Sequence, residues 1–126
     1  MKQLGILIFD EVEVLDFAGP FEVFSVANQL ANYKILQVHT LSLDALEIRA
    51  KNGLHLLADQ RLDQVGPLDY LVLPGGDGSK MVIQNQPGMA LLQTQIQQAS
   101  WSMSVCSGSR ILGKAGFLEQ KPYCTH

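Results

Sequence analysis

The chain has only two cysteines in 126 residues, Cys106 and Cys124. Two cannot build the disulfide framework of a small secreted domain. Histidine is sparse as well. His39, His55 and His126 are scattered with no pair at i, i+4, so no metal site is expected. Basic residues never form a run, and the net charge is −3. That leaves no electrostatic footprint for nucleic acid or an anionic membrane, and no recognition helix is evident. Long hydrophobic runs are missing too. The N-terminal run Leu4-Gly5-Ile6-Leu7-Ile8-Phe9 is too short to span a bilayer and is followed by acids, not a cleavage site. A cytoplasmic protein is therefore expected. With no repeat, low-complexity tract or linker, the expectation is one domain over 1–126. Hydrophobic content of 47% and charged content of 17% are ordinary for a globular chain and argue against disorder.

Strand and helix signals alternate. Leu4 to Phe9 is apolar throughout, as a strand buried on both faces requires. Gly19-Pro20 predicts a helix start, with Phe21, Phe24, Ala27 and Leu30 on its inward face. Ile35 to Leu41 is a second strand. Glu47 to Ala50 and Leu54 to Leu57 flank Asn52-Gly53, a hairpin signal. Tyr70 to Leu73 is a short buried strand that runs into Pro74-Gly75-Gly76-Asp77-Gly78. Pro87 starts a helix with Met89, Leu92, Ile96 and Ala99 inward. Trp101 to Val105 is a last strand, with Trp101 and Met103 read as core, and a helix follows Cys106 and closes at Ala115-Gly116. This alternation predicts an α/β fold, a flavodoxin-like parallel sheet with helices on both faces. Ligands of such sheets bind at the C-terminal strand edge. Asp10 to Asp16, Gly75 to Gly78 and Cys106 all fall on that edge.

Cys106 carries the strongest chemical signal. A cysteine at an abrupt strand-to-helix junction lies where unpaired N–H groups and the helix dipole favour an anion. The thiolate is the nucleophilic form, so the position predicts a nucleophile elbow with Cys in place of Ser. Ser107 and Gly108 supply the small residues of a tight turn. The plainer reading is a small buried hydrophobe. Asp16, in Val14-Leu15-Asp16-Phe17, is either a helix cap or a partly buried carboxyl near the thiol, able to hold or shuttle a proton. Glu22, one turn into the helix, reads as solvated. The N–H groups of Gly75, Gly76 and Ser107 could form an oxyanion hole, although Pro-Gly-Gly alone is often only a turn. No Gly-Lys-Ser/Thr follows, so it is not a phosphate loop, and Asp77 reads as a turn residue. Cys124 is either packing or a resolving thiol. A terminal His126 is ordinarily idle.

Three segments together resemble the ThiJ/PfpI superfamily, the class I glutamine amidotransferase-like α/β fold. They are Phe9 to Phe24, Leu73 to Gly78, and Ser104 through Leu112 to Ala115-Gly116-Phe117-Leu118 and Thr125-His126. Within it they look most like the isonitrile hydratase branch and the ligand domains of AraC-type transcription regulators. The resemblance implies that Cys106 is the nucleophile and that Asp16 is the acid facing it. Ser107 stands where that branch usually has Thr, Gly76 where a backbone donor is lent, and His126 where a His lies near the nucleophile. Cys124 departs from the usual Thr. The implied chemistry is thiolate attack on an isonitrile carbon and hydration to an N-substituted formamide, with no metal or organic cofactor.

Family members continue beyond the point that corresponds to His126. The expectation is therefore an incomplete version of the family fold that exposes an apolar sheet edge or face. Either the chain is a fragment of a longer protein, or a second copy covers the gap, by domain swapping or otherwise. A homodimer acting on a small molecule is the partner expectation. Two alternatives to the enzyme stand beside it. One is a non-catalytic ligand-sensing domain of the regulator lineage. The other is a redox-sensing thiol, Cys106, resolved by Cys124.

Overall fold

The structure is a computed structural model that describes residues 1–117. Its elements are β1 (Lys2–Leu7), α1 (Val14–Leu30), β2 (Leu36–Ser42), β3 (Glu47–Arg49), β4 (His55–Leu57), β5 (Gln60–Arg61), β6 (Tyr70–Leu73), α2 (Ser79–Val82), α3 (Gln86–Gln98), β7 (Trp101–Ser104) and α4 (Ser109–Lys114). Five strands form one parallel sheet in the order β5-β2-β1-β6-β7. β1 is central, with Leu4 opposite both Val38 and Tyr70. The chain leaves β1 toward β2 on one side and β6 toward β7 on the other. Right-handed crossovers therefore place α1 and α3 on opposite faces. This is the flavodoxin-like arrangement that the alternation predicts.

The middle of the sheet is the core. Leu4, Ile6, Leu7, Leu71, Val72 and Leu73 are all fully buried. Strands covered on both faces need apolar residues at consecutive positions, which explains their unalternated sequences. Leu92 and Ile96 bury one face of α3, with Met89 half-buried beside them. Asn85 caps that helix by accepting from Gly88 N–H at 3.0 Å, so the helix begins at Gln86, one residue ahead of the expected Pro87 start. The hairpin forms as expected, antiparallel with Ile48 opposite Leu56, and Asn52 and Gly53 both take positive φ.

Two expectations about α1 fail. The helix starts at Val14, so Pro20 lies inside it and not at its first position. Backbone bonds from Glu11 N–H to Arg49 O and from Glu13 N–H to Gly75 O fix the preceding loop and set the helix start upstream. Tertiary anchoring overrides the proline signal. The inward face is also different. Phe17 is buried and Phe24 half-buried, whereas Phe21, Ala27 and Leu30 are exposed. Leu15 (76%), Val23 (63%) and Leu30 (81%) leave α1 with apolar surface to solvent among the described residues. Trp101 is likewise not core. It is 37% exposed on β7, the outermost strand on its side of the sheet among the described residues, stacked on Tyr70 at 4.7 Å with Phe24 at 5.9 Å.

Candidate active site

Three loops meet at the C-terminal ends of the central strands. The loop from β1 to α1 is pinned on both sides. Glu11, at φ 64, donates to Arg49 O, and Lys51 N–H donates to Val12 O, which ties the loop to the hairpin. Glu13 N–H donates to Gly75 O at 3.0 Å, and Gly78 N–H to Glu11 O, which ties it to the glycine loop after β6. Val12 is fully buried between these anchors.

The third loop carries Cys106. Val105 N–H donates to Leu73 O at 3.0 Å, extending the β6–β7 pairing by one bond. The chain then reverses sharply. Cys106 takes φ 55, the left-handed region that L-residues other than Gly, Asn and Asp seldom enter. A tight turn at Cys106–Gly108 follows before α4 begins at Ser109. A Cβ on Gly108 would collide with Leu73 O, so only glycine lets α4 pack against the end of β6. A strained, half-buried thiol between strand and helix is the geometry of a nucleophile elbow.

Asp16 faces this turn through the glycine loop. It sits in the third position of α1, and the residue preceding the helix, Glu13, makes no side-chain cap. The capping reading of Asp16 therefore does not describe its side chain. The carboxylate is buried and accepts from Gly75 N–H at 3.1 Å, 59 residues away in sequence. Gly75 in turn presses on the elbow. A Cβ there would lie 2.6 Å from Ser107 N. Gly76, at φ 115, donates its N–H to Ser107 Oγ at 2.9 Å. Asp16, Gly75, Gly76, Ser107 and the Cys106 turn thus form one contiguous group. The N–H groups of Gly75 and Gly76 both point at internal acceptors. Cys124 and His126 lie outside the described residues.

Further residues support the group without having been signalled as site residues. Ser79 is fully buried. It donates to Gly76 O at 2.7 Å and accepts from the Arg110 guanidinium at 2.7 Å. Arg110 is one turn past Cys106, so α4 reaches back to hold the glycine loop. A serine directly after the glycine segment and an arginine on the elbow helix were the available signals, but neither has a spacing that specifies the contact. Asp77 is more than a turn residue. It pairs with Lys51 of the hairpin at 2.9 Å. The hydrogen bond and charge of Lys51 hold the Asp77 carboxyl below its ordinary value, and Asp77 raises Lys51 in the same way. Glu22 is exposed, as read from the sequence.

Residues 2–126 match the model of the DJ-1/PfpI family. The isonitrile hydratase of Pseudomonas putida is 33% identical over 124 residues, which is 98% of this chain and 52% of that enzyme. The HTH-type transcriptional regulator GbdR of Pseudomonas aeruginosa is 30% identical over 118 residues, 94% of this chain and 32% of the regulator. The chain thus spans about half the length of the first relative and a third of the second. Among solved structures, a THiJ/PfpI family protein from Pseudomonas syringae superposes with a TM-score of 0.81 at 24% identity, over 92% of this chain and 46% of that one. Oxidized DJ-1 of Toxoplasma gondii gives 0.84 at 17% identity, over 100% of this chain and 67% of that one. The fold, the elbow turn and the match over nearly the whole sequence agree: this chain belongs to the DJ-1/PfpI family.

Proposed function

We propose that Cys106 is the nucleophile of a cysteine-dependent enzyme of the isonitrile hydratase type. The observation that carries this is the left-handed Cys106 turn, joined through Ser107 and Gly75 to the buried Asp16. The sulfur of the thiolate attacks the terminal carbon of an isonitrile, and Asp16 delivers a proton to that carbon. The product is a thioimidate, with a new C–S bond and a carbon–nitrogen double bond. Asp16 then takes a proton from water as the water oxygen adds to the same carbon. Asp16 passes that proton to nitrogen and takes the hydroxyl proton as the C=O bond forms and the C–S bond breaks. Thiolate and protonated Asp16 are thereby regenerated, and one isonitrile and one water give one N-substituted formamide. Ser107 N–H lies next to the reacting carbon in this scheme. The Gly76 N–H would join it if Ser107 Oγ rotated away. No cofactor enters the scheme.

A second reading is a ligand-sensing domain without turnover. It is favoured by the engagement of both Gly75 and Gly76 N–H groups by internal acceptors, and by the likeness to a transcription regulator. One experiment separates the two. An alkyl isonitrile is incubated with the chain, and the formyl proton of the product is followed by NMR. The enzyme reading expects saturable formamide production, lost in Cys106→Ala and reduced about 10²–10⁴-fold in Asp16→Asn. No formamide, with saturable shifts at residues around Gly75 and Cys106, supports the sensor. Neither turnover nor shifts would remove both.

The same proposal includes a homodimer and a cytoplasmic setting. Support for the dimer is the apolar surface of Leu15, Val23 and Leu30. Sedimentation velocity should give twice the chain mass, and a monomer across the accessible concentration range would refute it. No helix among the described residues is long and apolar enough to cross a membrane.

A further inference from the structure

A cleft opens beside the glycine loop, away from the Cys106 turn. It lies where the ends of β1 and β2 meet the hairpin and α2, and it encloses about 600 Å³. Neither Asp16 nor Gly75, Cys106 nor Ser107 lines it. Ile8, Leu43, Ile48 and Val82 give it apolar walls. Five carboxylates stand around them, from Asp10, Glu11, Asp44, Glu47 and Asp77, with no Lys, Arg or His among the described lining residues. Lys51 neutralises Asp77 from outside. The other contacts are weaker in charge. Asp10 accepts a backbone N–H from Arg49, Asp44 accepts the Asn85 amide, and Glu47 lies 3.2 Å from His55 Nδ1. The cleft therefore keeps a surplus of negative charge.

Ser42 supplies an independent observation. It is 1% exposed, and its Oγ has no hydrogen-bond partner among the described residues. A buried hydroxyl without a partner is unfavourable, and native structures rarely tolerate one. Ser42 and Ile8 each stand one residue past the paired Leu41 and Leu7, on the same face of the sheet, and both line the cleft. A donor arriving in the cleft would complete that hydroxyl.

We propose that this cleft binds a small organic cation, a primary ammonium on a short apolar body. A bare metal ion needs carboxylates that converge, and no three His, Cys, Asp or Glu among the described residues do so. Spread carboxylates over an apolar floor suit instead a cation whose charge ends a hydrocarbon chain. The ammonium donates to Ser42 Oγ and a facing carboxylate, and the chain lies on Ile8, Leu43 and Val82. The volume suits a small molecule, for which pockets run to roughly 300–1,000 Å³. The proposal is independent of the Cys106 chemistry.

The test is a titration of the whole chain with n-hexylammonium, followed by amide NMR, with hexanoate and hexyltrimethylammonium as comparisons. Saturable shifts at Ile8, Leu43, Ile48 and Val82 are expected for both cations and none for hexanoate. Ser42→Ala removes only an unpartnered hydroxyl and should fold. It should weaken n-hexylammonium about fivefold, a hydrogen bond's worth, and leave hexyltrimethylammonium unchanged, since that cation has no N–H. Asp44→Asn with Glu47→Gln should weaken both cations several-fold, about 3-fold per exposed charge. Absence of saturable binding, equal binding of hexanoate, or an unchanged affinity in Ser42→Ala and the double variant would each overturn the proposal.

Discussion

The glycine loop after β6 has two faces that differ in kind. Gly75 and Gly76 face the Cys106 turn, where backbone is pressed on backbone and every glycine N–H already has an acceptor. Asp77 and Gly78 face the acidic cleft, where carboxylates are spread and a serine hydroxyl has no partner among the described residues. The first face is held rigid by strain and internal bonds, as a group that must present one atom in one direction requires. The second is open and charged, and complements a ligand that brings its own donor. The loop changes sides between Gly76 and Asp77, so Gly75 and Gly76 meet the Cys106 turn and the next two residues line the cleft.

The sharpest way to break that comparison is Cys106→Ala. It should abolish formamide production and leave n-hexylammonium affinity within about twofold, since Cys106 does not line the cleft. Loss of both functions together would show that the two faces are one site. Next in size is Gly75→Ala. Its Cβ would lie 2.6 Å from Ser107 N, so the loop or the elbow must move. A loss of about 1–3 kcal/mol is expected, read as a lower urea midpoint at constant slope. An unchanged midpoint would mean that the two loops are not in fixed contact.

A smaller effect sharpens the strain argument. Cys106→Gly and Cys106→Ala both remove the thiol, but only alanine keeps a Cβ at φ 55. The glycine variant should be more stable than the alanine variant by about 1 kcal/mol, measured by the same denaturation. Equal stabilities would remove the strain from the elbow.

The smallest effect concerns the Lys51–Asp77 pair, which clamps the hairpin to the cleft side of the loop. Asp77 is held below its ordinary value of 3.8, first by the hydrogen bond from Lys51 and then by its charge. Its contribution is present above that value and is lost as pH falls through the lower folded value. Lys51 is raised above 10.5 by the same partner, so its contribution is present below 10.5 and lost as pH rises through the folded value. Both groups are exposed, so Lys51→Met should change the neutral-pH denaturation midpoint only marginally. A large change there would mean that the pair is buried in solution.

Much of the fold was legible because Leu4 to Phe9 and Tyr70 to Leu73 are apolar without alternation, as a strand covered on both faces requires. The elbow was legible for a different reason. A cysteine followed by Ser107 and Gly108 between strand and helix leaves the chain few ways to turn. The same local logic misjudged α1. Gly19-Pro20 is a sound start signal, but Glu11 and Glu13 are held by hydrogen bonds to Arg49 and Gly75, which are distant in sequence. The inward face followed the helix rotation that those anchors impose, so Phe17 and not Phe21 became the buried aromatic.

By itself the sequence determined the strand-and-helix order, the parallel sheet, and Cys106 and Asp16 as the residues to watch. The order, the sheet and Cys106 rest on hydrophobic pattern and turn chemistry, which act within a few residues, whereas Asp16 was singled out by the resemblance of Phe9 to Phe24 to the family. Only the tertiary structure decided that Asp16 bonds Gly75, that Arg110 holds Ser79 against the glycine loop, and that Ser42 has no partner among the described residues beside five carboxylates. Each of those joins residues more than 25 positions apart or depends on what packs around a strand end. Hydrogen bonds and charges of that kind are specified by where the sheet brings its loops together, and local pattern carries no information about it.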